Sequence, residues 1–458
     1  ILAAVNTSNQ YVVRRYLSNG SVDTSFNGTG AALTIAATNK AILTHLMMTQ
    51  AEQAILIGYD DNADNNMIMI RLNSNGTLDT AFSATGVLPY QLDAGNTIRE
   101  SRFAAIHPTG KILTVGYEQD ATSSDDDPVI VSVYGDSFVP EYKQAPSASQ
   151  AGTLDNTFNG GTSPTQVVSG ITGLTTLNGK LPKLMHSFYQ TPGYLLVAQG
   201  GTSTYITKLT QDLELDHDFN SGVLVTQTTG TVSSETNDLC FDKLSGTTDS
   251  GQSFFLVGTD VTSTTNVPWV KHYDSAGAVD TNFVFVPTSV MTSGNVVEQQ
   301  SFGRVIVGGS TSSAGLLSAH DVYGNVDTGF GSGTGQFTVT GSTAIYAMAI
   351  DDQDRIVVVY KDSSDDLIVS RIDESGFALD SSFSATDLIA NVAADDQVKV
   401  SFDQNGDIIV AAATATDYRV RCYSQTDGTL HSSFNGTGEL AFQFSTTTGT
   451  PKITQLMV

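Results

Sequence analysis

Closely spaced carboxylates are the residues of this chain best suited to chemistry. Asp60-Asp61-Asn62-Ala63-Asp64-Asn65 is one run, Glu118 to Asp127 ending in Asp125-Asp126-Asp127 is a second, and Asp362-Ser363-Ser364-Asp365-Asp366 is a third. Carboxylate and amide oxygens at such spacing ligate Ca²⁺. Asp60, Asp61, Asp64, Asp125, Asp126 and Asp127 are therefore the candidate metal residues, with Ca²⁺ as the one cofactor to consider. None of the runs has the glycine placement of a twelve-residue calcium loop, so solvated acidic turns are the competing reading. No nucleophile elbow, phosphate loop, dinucleotide fingerprint or His-Glu-x-x-His is present, and no catalytic residue is assigned. A ring of repeats can still build a central-channel site from one residue per unit, so an enzyme stays open as an alternative.

Composition limits the partners. The chain has 458 residues, 47 acidic and 21 basic, for a formal net charge of −26. That field repels phosphate backbones and anionic lipid, which argues against nucleic acid. No apolar run is long enough to span a bilayer, so membrane insertion is not expected. Cys240 and Cys422 are too few for a disulfide framework and read as buried free thiols. The chain opens on Ile1-Leu2-Ala3-Ala4-Val5, without an initiator Met or a secretory pattern, which reads as a processed or trimmed product. Few lysines and many Thr, Ser and Asn lean toward an extracellular or cell-surface location.

The elements that must position any site come from a repeat. An apolar residue, Asp, two small or polar residues and Phe recur eight times. The Asp positions are Asp23, Asp79, Asp155, Asp216, Asp280, Asp327 and Asp380, with His431 in the last copy. The matching aromatics are Phe26, Phe82, Phe158, Phe219, Phe283, Phe330, Phe383 and Phe434. Successive copies lie 56, 76, 61, 64, 47, 53 and 51 residues apart. The 27 residues after His431 and the first 23 of the chain together make about one further unit.

Each unit reads as four short strands, as in Gln336–Thr340, Ala344–Ile350, Arg355–Tyr360 and Leu367–Ile372. The third strand recurs as an apolar run ending in Gly or Ala: Ile55–Gly58, Leu195–Ala198, Phe255–Gly258, Val305–Gly308 and Ile408–Ala411. Such runs fit strands buried on both faces, with small residues where neighbours crowd. The expected fold is all-β: an eight-bladed β-propeller of four-stranded blades filling residues 1–458 as one domain. Its last blade would join Glu439–Phe444 and Lys452–Val458 to Ile1–Val5 and Tyr11–Leu17. Pairing of those end strands with a neighbouring subunit is the rival arrangement. Residues 135–151 insert into one blade and, with Tyr134, Phe138 and Tyr142, could form a contact surface.

A glycine precedes the motif at Gly20, Gly76, Gly152, Gly277, Gly324, Gly376 and Gly428, suited to a left-handed turn. The apolar residue and Phe should anchor a connector between adjacent blades. A base lies several residues upstream (Arg15, Arg71, Lys208, Arg371). It reads either as an ion-pair latch on the turn or as one anion site per blade.

At these residues the chain resembles the delta-60 repeat family, β-propeller-like repeats of large bacterial surface or secreted proteins. The family unit runs Arg-Leu, Asn-x-x-Gly-x-Leu-Asp-x-x-Phe, then Gly-x-Gly. Arg71 to Phe82 follows it closely, and Asn27-Gly28-Thr29-Gly30 and Asn435-Gly436-Thr437-Gly438 match its tail. The unit after Phe283 is short, and the copy from Lys208 to Phe219 lacks the glycine. The resemblance implies fold and surface location and brings no catalytic residues.

Three functions follow as expectations. The first is a non-catalytic structural or interaction propeller of an extracellular or surface assembly, with protein partners or self-assembly. The second is a carbohydrate-binding or adhesive propeller using aromatics such as Tyr142 and Trp269. The third is the channel enzyme.

Overall fold

The computed structural model describes residues 2–7, 9–17, 19–37, 40–49, 51–61, 67–90, 97–106, 110–119, 126–135, 165–167, 183–187, 193–200, 203–210, 216–222, 225–228, 233–244, 253–261, 265–288, 290–383, 389–390, 392, 398–414 and 417–442. Among them the chain is all-β and propeller-like, with eight antiparallel sheets of three or four strands following one another along the sequence. The first sheet holds β1 (Leu2–Thr7), β2 (Gln10–Arg15) and β3 (Leu33–Ala36). The second holds β4 (Lys40–Met48), β5 (Ala54–Asp61), β6 (Met67–Leu72) and β7 (Val87–Tyr90). The third holds β8 (Thr97–Ile106), β9 (Lys111–Gln119), β10 (Asp126–Tyr134) and β11 (Thr165–Val167). The fourth holds β12 (Lys183–Ser187), β13 (Gly193–Gly200), β14 (Ser203–Thr210) and β15 (Val225–Thr228). The fifth holds β16 (Ser233–Phe241), β17 (Phe254–Val261) and β18 (Asn266–Tyr273). The sixth holds β19 (Ser293–Gln299), β20 (Val305–Ser310), β21 (Gly315–His320) and β22 (Gln336–Val339). The seventh holds β23 (Ala344–Ile350), β24 (Ile356–Lys361) and β25 (Leu367–Ile372), with Ile389 bridging Leu367 at its edge. The eighth holds β26 (Val398–Phe402), β27 (Ile408–Ala413), β28 (Tyr418–Tyr423) and β29 (Glu439–Phe442). No helix among the described residues is long and apolar enough to cross a membrane.

The apolar runs become the second strand of each full sheet, paired on both edges and buried on both faces. Every residue of Ile356–Lys361 and Ile408–Ala413 is buried. Successive sheets share cores. Val357 and Val359 pack with Val398, Ile408 and Val410 in one cluster, and Leu256 and Trp269 pack with Leu195 and Ile206 in another. Burying both faces of each sheet against its neighbours is what lets small sheets hold together.

The glycine that ends these runs has a steric reason. The first strand of the sheet carries a bulge opposite it, at Leu43/His45 facing Gly58, at Thr236/Asp238 facing Gly258 and at Gly294/Val296 facing Gly308. A bulge re-aims the backbone. A Cβ on Gly58 would collide with the Ile42 carbonyl, and one on Gly258 with that of Glu235. The bulged asparagines tie sheet to sheet: Asn237 Nδ2 donates to Gly294 O at 2.7 Å and Asn295 Nδ2 to Ile345 O at 3.0 Å.

The phase of the repeat differs from the sequence expectation. Gln336–Val339 pairs with β21, the strand before the motif, so the sixth sheet runs β19-β20-β21-β22. Likewise Glu439–Phe442 pairs with β28 and does not join Leu2–Thr7. The motif therefore links two strands of one sheet rather than two blades. The reason is its compact turn. Phe330 N donates to Asp327 O at 3.0 Å, and Gly335 N returns to Phe330 O at 2.8 Å. Ala319 N then meets Gly335 O at 2.9 Å, which turns the chain straight back onto the strand it left. Residues 443–458, with the expected strand Lys452–Val458, lie outside the described residues.

The two ends of the described chain nevertheless meet. Tyr16 and Ala3 pack with Ile409, Ala411, Val420, Cys422, Phe434 and Leu440 of the eighth sheet.

Candidate functional site

The motif turns build the recurrent constellation of the molecule. In each described copy the N–H of the motif Asp donates to the carbonyl of an upstream strand residue. The pairs are Asp23 to Arg15 (3.0 Å), Asp79 to Arg71 (3.0 Å), Asp216 to Lys208 (2.9 Å), Asp280 to His272 (2.9 Å), Asp327 to Ala319 (2.9 Å) and Asp380 to Arg371 (2.8 Å). The backbone thus sets the upstream side chain beside the carboxylate. One carboxylate oxygen accepts the N–H two residues on, as with Ser25 at 2.9 Å, Ala81 at 3.0 Å and Gly329 at 2.8 Å. The other takes the base: Arg15 at 2.7 Å, Arg71 at 2.8 Å, Lys208 at 3.0 Å, His272 at 3.0 Å and Arg371 at 2.7 Å. Hydrogen bonds from Ser25, with Arg15 adding its charge, hold the Asp23 carboxyl down to about 2.

The guanidinium also covers the motif aromatic. Arg15 lies 5.1 Å from the Phe26 ring centre, Arg71 4.8 Å from Phe82 and Arg371 4.7 Å from Phe383. It reaches on to the next sheet as well. Arg15 Nη1 donates to Ser74 O, Arg371 Nη1 to Gln425 O, and Arg304 Nη1 to Glu374 O at 2.9 Å. Arg15, Arg304 and Arg371 thus each join a carboxylate, an aromatic face and a neighbour's carbonyl.

The motif Phe then fills the space left by the next copy's glycine. A Cβ on Gly76, at φ +83°, would stand 2.7 Å from the Phe26 ring, and one on Gly277 2.6 Å from Phe219. Asn27 N donates to Asn75 O at 2.7 Å, and Asn220 N to Ala276 O at 2.6 Å. The last copy meets the first through the residue after the aromatic: a Cβ on Gly20 would stand 2.8 Å from Asn435 N, as one on Gly76 would from Asn27 N.

Two copies depart from the pattern in ways the sequence spacing concealed. In the sixth, Ala319 occupies the base position, and Arg304, just ahead of β20, supplies the cation to Asp327 at 2.6 Å. In the eighth, Cys422 occupies it. His431 N donates to Cys422 O at 2.8 Å, and His431 Nδ1 lies 2.9 Å from Asp407 Oδ2. His272, in the fifth copy, is also flanked by Asp242 at 3.3 Å. Burial disfavours its charged ring, but the two carboxylates outweigh that and raise its pKa.

The acidic runs are placed only in part. Asp60 and Asp61 end β5, and Asp126 and Asp127 begin β10. Their side chains, with Asp64 and Asp125 entire, lie outside the described residues, as do Asp155, Phe158 and Tyr142. In the third run, Asp362 Oδ1 accepts Ser364 N at 2.8 Å and Asp366 N at 3.0 Å, so it caps its own turn. Two aromatics named as contact candidates are internal. Trp269 is buried against Gly258, and Tyr134 is buried with Lys111 Nζ 5.8 Å from its ring centre.

Exposed apolar side chains collect elsewhere. Val284, Val286, Phe302, Val322 and Tyr323 are all exposed, Val284 at 62% and Tyr323 at 59%. Val284 N donates to Tyr323 O at 2.8 Å and Val286 N to Gly324 O at 3.1 Å, which sets the fifth and sixth turns side by side. A Cβ on Gly303 would stand 3.1 Å from Val322, so the Phe302–Gly303 turn borders the sixth motif turn, with Arg304 over the Phe302 ring at 5.0 Å.

Residues 2–26 and 55–82 match a family described as a domain of unknown function (DUF5122) beta-propeller. Both segments end on a motif phenylalanine, Phe26 and Phe82. No curated protein matches the chain. Among solved structures the chain is similar to the Dos1 propeller (9% identity, TM-score 0.48, covering 98% of this chain and 91% of that one). It is also similar to Saccharomyces cerevisiae Sqt1 (8% identity, TM-score 0.46, 90% of each chain). A third is the beta-propeller domain of the Trilobed protease from Pyrococcus furiosus (8% identity, TM-score 0.40, 83% of this chain and 92% of that one).

Proposed function

We propose that the eight sheets form one closed eight-bladed propeller over residues 1–458, a non-catalytic structural and interaction module of an extracellular or cell-surface assembly built from delta-60-like repeats. Closure draws its support from the packing of Tyr16 on the eighth sheet and from Asn435 against Gly20, the place a motif aromatic or its neighbour takes at other joints. The anion-site reading of the motif loses its support, because its bases are already engaged by carboxylates and carbonyls.

The interaction role rests on one observation: the exposed apolar group of Val284, Val286, Phe302, Val322 and Tyr323 on a strongly acidic protein. Clustered exposed apolar side chains mark contact surfaces, and an excess of negative charge directs them toward protein rather than nucleic acid. Sedimentation velocity across a concentration series tests it. The wild-type chain self-associates and a Val284→Ser/Tyr323→Ser variant does not. A chain monomeric at every concentration, with saturable binding on a glycan array, overturns the reading in favour of a carbohydrate-binding propeller.

A further inference from the structure

The eighth motif copy exchanges three residues that meet in space. Cys422 occupies the strand position held by Arg15, Arg71, Lys208, His272 and Arg371 in other copies, as the His431 N to Cys422 O bond establishes. His431 replaces the motif Asp. Asp407 immediately precedes β27, as Arg304 precedes β20 and Gln53 precedes β5, and both of those residues reach a motif carboxylate. Carboxylate and cation have traded ends here, and the guanidinium is gone. One ligand atom each from Asp407, Cys422 and His431 lies within 4.8 Å of the others.

We propose that Asp407, Cys422 and His431 form a binding site for a zinc-like divalent cation, which takes over the joining role that arginine plays at other motif turns. A thiolate, an imidazole and a carboxylate are the donors that zinc and its congeners prefer, whereas Ca²⁺ and Mg²⁺ select all-oxygen sets. Bond lengths of about 2.0–2.3 Å place tetrahedral ligands roughly 3.3–3.7 Å apart, so the three groups close on a metal with a shift on the order of 1 Å. Asp407 and Cys422 are buried, and the His431 side chain is 46% exposed, which leaves a solvent-facing route and a fourth position for water. Gln425 N donates to Asp407 Oδ1 at 3.0 Å, which orients the carboxylate and leaves Oδ2 toward the site. On binding, the Cys422 thiol proton passes to solvent and the sulfur bonds the metal. His431 ligates through its neutral ring.

A swapped His–Asp ion pair would account for two of the residues and leave the third unexplained. In the sixth copy the partner of the motif side chain, Arg304, likewise comes from ahead of the strand, and the base position there is Ala319. Cys422 instead sets a sulfur within 4.8 Å of the Asp407 and His431 ligand atoms, where Ala319 offers no donor. A metal gives the sulfur a partner. The site also lies at the joint of the last and first sheets, since Cys422 packs with Tyr16.

Titrating Co²⁺ into the reduced, full-length chain tests this. A sulfur-to-cobalt charge-transfer band is expected, saturating at one metal per chain. It vanishes in Cys422→Ser, survives in Cys240→Ser, and needs at least tenfold more metal in His431→Gln, where the exposed side chain makes misfolding a poor explanation. Zn²⁺ should raise the melting temperature of wild type but not of Cys422→Ser. No band at stoichiometric metal, or a band that follows Cys240 instead, overturns the proposal.

Discussion

Asn435 stands against Gly20, close enough that a methyl group on the glycine would lie 2.8 Å from the Asn435 backbone nitrogen. These residues are 415 positions apart in a 458-residue chain. They repeat the approach of Asn27 N to Gly76 between the first two sheets, also at 2.8 Å from a Cβ. Among the described copies the turn that follows the motif aromatic is seated on the turn of the next copy, and the last copy is seated on the first.

That seating sets the cost of filling a motif glycine. Gly76 sits at φ +83° with the Phe26 ring 2.7 Å from any Cβ. Gly76→Ala should destabilise by more than about 1 kcal/mol through backbone strain alone, with the ring clash in addition. Adding Phe26→Leu should recover part of the clash. Urea denaturation of the two single variants and the double reads the coupling, and strict additivity would contradict the contact.

The latches differ in depth, so their removal should differ in effect. Arg71 and Asp79 have side chains 3% and 7% exposed, against 22% and 11% for Arg15 and Asp23. Arg71→Met leaves a buried carboxylate without its cation and should cost about 3–5 kcal/mol. Arg15→Met, at a wetter pair, should cost distinctly less. Equal losses by chemical denaturation would contradict the burial argument.

His272 gives the chain a pH signature. Its folded pKa is raised by Asp242 and Asp280 above the ordinary 6.5. A raised histidine contributes stability that is complete below its unfolded value and is lost as pH rises through the folded value. His272→Asn should therefore lower the melting temperature more at about pH 5 than at about pH 9. An equal effect at both, or a larger one at high pH, would contradict the pairing.

The strands were legible because their apolar runs are long and repeat. Ile55–Gly58, Val305–Gly308 and Ile408–Ala411 lie within β5, β20 and β27. The phase was not. A four-strand period can be divided anywhere, and only the tight return of Ala319 onto Gly335 shows that Gln336–Val339 closes the sheet it leaves. Cations supplied from ahead of a strand, such as Arg304, were hidden because their distance from the motif Asp varies with loop length. The Asp407, Cys422 and His431 group was hidden too, since pairing of β27 with β28 brings together residues well separated along the chain. Its only trace in the sequence is a double departure, His for Asp and Cys for a base, in one copy. Trp269 looked like a surface aromatic because a lone Trp carries no periodicity to show which way it faces.

Ring closure is tested most directly by spin labels at the exposed positions Asn19 and Thr437, on a chain whose two buried native thiols remain unlabelled. Pulsed dipolar spectroscopy on labelled chain diluted into excess unlabelled chain should give one short, narrow distance, because the first and last turns share a joint within a single molecule. A long or broad distribution, or a short distance that disappears on dilution, would mean that the ends do not meet or meet only between neighbouring copies.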